Sequence, residues 1–300
     1  MKLGYNTWSM PTLSFRDAVT HCGRLGFDSV EVTISEGWRT DVMTLASGTA
    51  AGWRRIAADA GVTITSLTAN APILVEGEAW RAACDRLTKS LALAAELQEP
   101  GQRMPISVTA SRPEADSAGL PPVSSEERWE SERGIVVDRF GKIAAIARGL
   151  GASVALEPHV MTVVCTSKRA LQVLDQVDDD ALGLNLDISH FAVQSVPIPE
   201  VVRALAPRAI ACEVKDQRGV VPNFDFLIPG EGDFDYVGFL REMAAAGYSG
   251  SVSVEISIFR QRVGQYDPYE AARQSYQVLS KAFELAGVAR PESTNRERNG

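Results

Sequence analysis

Short runs of apolar and β-branched residues alternate along this chain with longer stretches of helical periodicity. The runs are KLGYN from Lys2, SVEVT from Ser29, VTITSLTA from Val62, PISVTA from Pro105, SVALE from Ser153, LGLNLDI from Leu182, AIACEV from Ala209 and SVSVEI from Ser251. Each has the length of a strand and is followed by enough chain for a helix. The helices are marked by their ends. In SFRDAVTHCGRLG, Ser14 can cap the first turn and Gly26 can close the last, and WRAACDRLTKSLALAAELQ starts a second pattern at Trp80. A helix-ending glycine followed at once by a strand recurs in LGFDSVEV, AGVTITSL, LGASVALE and AGYSGSVSVE, as the short connections between βα units require. Eight such units in 300 residues predict an α/β fold, a single (β/α)8 TIM barrel over residues 1–288.

Two stretches break the rhythm. Ser111 to Glu132, SRPEADSAGLPPVSSEERWESE, is rich in Pro, Ser and Glu and predicts a long loop after strand four, either a lid or an inert insertion. The last residues, 289–300 (ARPESTNRERNG), lack apolar periodicity and predict a disordered C-terminal tail.

Composition narrows the partners. A hydrophobic content of 45% can fill a large core, and a formal charge of -8 argues against a nucleic-acid ligand. Cys22, Cys84, Cys165 and Cys212 lie far apart with no CxxC pairing, so neither a disulfide framework nor a thiolate zinc site is indicated. The opening MKLGYNTWSM has no apolar signal core, and no run approaches the roughly 20 apolar residues that cross a bilayer. The expectation is a cytoplasmic protein with no membrane partner.

The chemistry gathers at strand ends in the second half. Strand five ends in Glu157 and six in Asp187; seven carries Glu213 near its end, and Glu255 falls at the end of eight. In a parallel barrel these ends share one mouth, so the four carboxylates converge. Singly, each could be a helix cap or a partner for a loop amide. Together they would repel unless some are protonated or a cation sits among them, and a divalent metal is the economical solution.

On these residues the chain resembles the sugar phosphate isomerase/epimerase family of the xylose isomerase-like superfamily. That family shows a Glu after strand five, Asp-x-x-His after strand six, a His in a His-x-Lys-Asp segment on strand seven and a Glu ending strand eight. Here these are Glu157, Asp187 with His190, and Glu255, and GEGDFDY from Gly230 is similar to the family's glycine-rich turn. One position departs: Glu213, in CEVKD, stands where the family has histidine. If Glu213 ligates, four carboxylates favour Mn2+ or Mg2+ over Zn2+ and weaken the metal as a Lewis acid. Otherwise Glu213 has left the metal for another role.

The resemblance implies a divalent-metal-dependent isomerase or epimerase of a small sugar or polyol, working by proton abstraction beside a carbonyl through an enediolate. Glu157 and Glu255 would be the acid/base pair, and His190, Lys215, His159 and Trp8 would bind substrate, with packing the plainer role for Trp8. A lyase or dehydratase of the same family, inosose dehydratase-like or cleaving 3-keto glycosides by β-elimination, would use the same residues. A catalytically silent barrel subunit is a third alternative. The endonuclease IV branch needs more histidines than His21, His159 and His190. Arg218 and Arg260 neither require nor exclude a phosphate, and an unphosphorylated sugar is preferred. Family barrels commonly pair, so a homo-oligomer is an open expectation.

Overall fold

The eight runs form a closed parallel barrel in the computed structural model, which describes residues 1–113 and 122–291. Its strands are β1 (Lys2–Asn6), β2 (Ser29–Thr33), β3 (Thr63–Thr68), β4 (Pro105–Thr109), β5 (Ser153–Glu157), β6 (Leu182–Asp187), β7 (Ala209–Val214) and β10 (Ser251–Val254). They follow one another around the barrel in chain order, and β10 closes it against β1 with Tyr5 opposite Val254. Two strands that the apolar runs do not predict, β8 (Asp216–Val220) and β9 (Asn223–Leu227), form an antiparallel hairpin directly after β7.

Helix ends follow the local chemistry. Ser14 caps Phe15–Leu25 by accepting the Asp17 N–H at 3.1 Å, and Gly26 ends it at φ 98°, where a Cβ would be strained. The helix expected from Trp80 begins earlier, at Gly77, and runs to Leu97.

Every residue of β2, β4, β5 and β6 is buried, so these strands have no solvent face. Alternate positions divide the work. Leu3, Tyr5, Val30, Val32, Leu184 and Leu186 join the apolar core, while the polar positions between them meet one another inside the barrel. Near the bottom the interior is narrow: Ser29 and Ser251 hydroxyls lie 2.7 Å apart, and a Cβ on Gly4 would come within 2.5 Å of Ser251 Oγ. Only glycine leaves room there.

The long loop is shorter than its composition suggests. Ser125 caps a helix spanning Glu126–Leu150, so the second half of the Ser/Glu-rich stretch is helical, while residues 114–121 lie outside the described residues. Its anchor is Trp129, fully buried, whose indole N–H donates to Gln172 at 3.1 Å. One buried aromatic outweighs a polar composition.

The tail also begins in order. Arg290 Nε donates to Asp28 Oδ2 at 2.7 Å, both side chains are less than a tenth exposed, and the chain's amino terminus donates to the Ala289 carbonyl at 3.1 Å. Residues 292–300 lie outside the described residues. Removing the guanidinium takes the charged partner from a buried carboxylate that otherwise holds the Leu3 N–H at 2.9 Å. Arg290→Ala is therefore expected to lower unfolding free energy by about 3 kcal/mol in urea titrations. A change under about 0.5 kcal/mol would show that the pair does not fix the terminus.

Candidate active site

Glu157, Asp187, Glu213 and Glu255 meet at the C-terminal mouth, each offering an oxygen within 4.8 Å of the others. Parallel register brings them there: Asp187 lies opposite Glu213, and Ser253, two residues before Glu255, also lies opposite Glu213. Oxygens around one hard cation, bound at about 2.0–2.6 Å each, fall within such a spread. The set therefore fits a divalent metal, and its all-oxygen chemistry suits a hard ion.

Each acid is held differently. Asp187 Oδ1 accepts the Ser189 N–H at 3.0 Å and the Ser189 hydroxyl at 2.6 Å, while Oδ2 accepts the Lys215 ammonium. Burial opposes its ionisation, but Lys215 and His190 outweigh burial and hold its carboxyl well below the ordinary value. Glu213 is cradled by two amides, Asn6 Nδ2 on Oε1 and Asn185 Nδ2 on Oε2, both at 2.6 Å. Burial and the neighbouring Glu31, Glu255 and Glu157 nevertheless push its carboxyl well up. Ser107 joins Asn185 to Glu157, accepting at 2.9 Å and donating at 3.3 Å.

Two further groups belong to this charge cluster. Lys215 Nζ, in addition to its bond with Asp187, lies 3.3 Å from Glu255 Oε1. Burial would strip its proton, yet Asp187, Glu255, Glu213 and Glu157 keep it charged and its pKa raised. Some of the repulsion expected among the acids is thus met by an internal cation. The second is Glu31 on β2, fully buried, with Oε1 accepting from Thr68 at 3.0 Å and Oε2 without a hydrogen-bond partner among the described residues. Burial raises it to about 8. The signal was present in SVEVT: an acid inside a strand with no wet face has to lie in the core.

The two histidines pack ring to ring, centroids 3.8 Å apart. His190 Nε2 lies 3.3 Å from both Glu157 Oε1 and Asp187 Oδ2. Burial lowers its pKa, but Asp187 and Glu157 outweigh burial and raise it. His159 Nδ1 accepts the Met161 N–H at 3.0 Å, so the ring proton sits on Nε2. Burial, His190 and Lys215 drive its pKa well down and keep it neutral. Glu157, His159 and His190 also lie close enough to suggest a second metal. They do not fit one, because neither nitrogen of His159 keeps a free lone pair.

A cavity of about 800 Å³ opens over these groups, and Trp8, His159, His190, Lys215, Glu157 and Glu255 all line it. Trp8 stacks on Trp38 with centroids 4.1 Å apart. The β8–β9 hairpin brings Phe226 against His190 and the Lys215 ammonium, at 5.2 and 5.6 Å. Asp216 turns away from the pocket and instead fixes the glycine-rich turn, accepting the N–H groups of Gly230, Gly232 and Phe234 at 2.8–3.1 Å. A Cβ on Gly232 would come within 2.4 Å of Asp216 Oδ1, which is why the turn needs glycine. The helix after it starts later, at Tyr236. Arg260 is engaged by Glu231 at 2.7 and 2.9 Å, and Arg112 and Arg128 share Glu132.

A closed (β/α)8 barrel with acids on four strand ends around one mouth has the layout of a barrel active site, which in this fold lies at the C-terminal ends of the strands. The chain belongs to the xylose isomerase-like TIM barrel family, which its sequence matches over residues 19–282. An inosose isomerase of Halalkalibacterium halodurans is 29% identical over 177 residues, a stretch covering 55% of this chain and 62% of that protein. Among solved structures, the 3-keto-D-glucoside 4-epimerase YcjR from E. coli superposes with a TM-score of 0.73 at 18% identity, over 94% of this chain and 99% of that one. The IolI protein, solved with a zinc atom, gives 0.72 at 18% identity over 96% and 98%. At these identities the two structures share the fold. No described helix is long and apolar enough to cross a membrane.

Proposed function

We propose that this chain is a metal-dependent isomerase or epimerase of a small unphosphorylated sugar or polyol-derived ketone, moving a proton at the carbon beside the carbonyl. The carrying observation is the convergence of Glu157, Asp187, Glu213 and Glu255 within 4.8 Å at the floor of a sugar-sized or larger cavity. The names of the inosose isomerase and the keto-glucoside epimerase, and the zinc of the IolI protein, support the same chemistry. Arg260 is paired to Glu231, and Arg112 and Arg128 to Glu132, so these three arginines do not favour a phosphate.

The four carboxylates would hold the ion, Mn2+ or Mg2+ by their oxygen chemistry. Bound there, it would polarise the substrate carbonyl. Glu157 and Glu255 rise from strands separated by β6 and β7, which suits one removing the α-proton and the other returning it. Lys215, charged and fixed between Asp187 and Glu255, supplies positive potential where negative charge develops on the substrate. His159 offers a neutral Nε2–H donor whose tautomer is set by Met161, and His190 orients Glu157 and Asp187. Trp8 and Phe226 exclude water and face a sugar ring.

Metal analysis of the purified protein beside Glu213→Ala and Glu255→Ala, with solvent deuterium incorporation into a panel of ketoses and keto-glycosides, tests this directly. One divalent ion per chain, lost on Glu213→Ala, with deuterium entering the α-carbon, is the expected result. No stoichiometric metal and no exchange in any substrate would sink it. Product identity separates an inverted carbon from an eliminated group, and with it the epimerase from the lyase.

A further inference from the structure

The two amides that hold Glu213 are not equivalent. Asn6, fully buried on β1, uses its whole hydrogen-bonding capacity. Its Oδ1 accepts the Trp8 N–H at 2.8 Å and the Thr33 hydroxyl at 3.0 Å, while its Nδ2 donates to Thr68 Oγ1 at 2.9 Å and to Glu213 Oε1 at 2.6 Å. The backbone N–H of Trp8 can only donate, so it fixes which end of the amide is oxygen. Turning the amide over would set nitrogen against that N–H and oxygen against the Glu213 carboxylate. Asn185 has no such lock. Its Nδ2 donates to Ser107 and to Glu213 Oε2, while its Oδ1 has no hydrogen-bond partner among the described residues, so nothing on the oxygen side holds it in one orientation.

Position 213 is therefore faced from β1 by a donor that cannot become an acceptor. A carboxylate oxygen accepts it and keeps a second lone pair. An imidazole meets it badly. When one ring nitrogen ligates a cation, the other carries a proton that needs an acceptor, and Asn6 offers only another N–H. We propose that Asn6 sets the metal preference of the mouth, holding position 213 to an oxygen ligand and so tilting the site toward hard divalent ions and away from zinc. The inference rests on the metal proposed for the carboxylates. Asn6 is a positioning residue: it does not line the cavity, and it acts through Glu213.

Moving the carboxylate from one side of this contact to the other provides the test. Asn6→Asp/Glu213→His keeps one carboxylate in the pair but places it on β1, where it still accepts from Trp8 and Thr33 and can also take an imidazole N–H. Chelator-competition titrations of the full chain with Zn2+ and Mn2+, without substrate, read the affinities. Glu213→His alone is expected to hold both ions about tenfold or more weakly than the native protein, because its ring N–H meets the Asn6 N–H. Adding Asn6→Asp should recover zinc by about ten- to a hundredfold, the usual range for a group behind a ligating histidine. Manganese should lag, so the zinc-to-manganese preference should exceed the native one by about tenfold or more. Asn6→Ser/Glu213→His, which removes the opposing N–H without adding charge, should recover part of the zinc affinity and serves as the test if the first pair does not fold. Asn185→Asp/Glu213→His should recover little, since Asn185 can already turn its oxygen to the ring. Zinc held as tightly by Glu213→His alone as with either change at position 6, or recovered equally through Asn185→Asp, would overturn the assignment. Native protein that holds neither ion, with zinc gained only when positions 6 and 213 change together, would defeat the proposed reaction and leave Asn6 as the residue that bars histidine.

Discussion

Glu255→Gln is expected to stop interconversion of substrate and product, lowering kcat/KM by about a thousandfold, the usual scale for a lost acid–base group. The barrel and its metal should survive. Gln keeps an oxygen in place of Glu255, Lys215 keeps its bond to Asp187, and the other three carboxylates are unchanged. The informative readout is a split between two assays. If Glu157 and Glu255 serve opposite faces of one carbon, the variant should still exchange the α-proton of the epimer served by Glu157, within about tenfold of the native rate, while epimerisation disappears. Glu157→Gln should give the mirror result, exchanging the other epimer alone. Equal loss of exchange on both epimers in either variant, with metal content intact, would mean that one base works alone. Loss of metal with loss of rate would make Glu255 a ligand first.

Much of this site was legible in the sequence because its acids end apolar strands. VALE, LNLD, ACEV and VSVE each carry a charge at a position where a barrel strand reaches its mouth, so topology alone brings them together. Four such acids call for a cation, and Lys215 supplies part of that charge by reaching Asp187 and Glu255, contacts that no spacing in the sequence shows. Trp8, His159 and His190 also line the cavity.

What stayed hidden has physical reasons. The β8–β9 hairpin has polar, half-exposed strands, DQRGV and NFDFL, with no continuous apolar run, so a reading tuned to buried parallel strands passes over it and over Phe226. Trp129 and Arg290 sit in stretches whose average composition reads as loop and tail, yet each is fixed by one specific contact, to Gln172 and Asp28. Composition averages; a single buried aromatic or ion pair does not. Asn6 and Asn185 are ordinary strand residues until Glu213 appears between them, accepting both amides. The departure from histidine at position 213 is thereby supported by the chain itself, since two amide donors suit a carboxylate and would crowd an imidazole.

Glu31 gives the second large prediction, on stability rather than rate. In the unfolded chain its carboxyl titrates near 4.5, and burial in the barrel raises it to about 8. Below about pH 4.5 both states carry the proton, and the group favours neither. Between those values the folded state holds a proton that the unfolded state has released, so stability falls as pH rises and the loss is complete above about 8. At about 1.4 kcal/mol per unit, the rise amounts to roughly 4–5 kcal/mol. Glu31→Gln removes this titration while keeping an oxygen to accept from Thr68. In metal-free buffer the variant should match the native protein near pH 5 and exceed it by several kcal/mol near pH 8, in urea titrations at both values. Native stability that holds level with the variant from pH 5 to 8 would show that Glu31 is already ionised in the fold. Divalent ions should narrow the gap, since a cation at the mouth favours ionised carboxylates beneath it. A gap indifferent to metal would place Glu31 beyond the reach of the site.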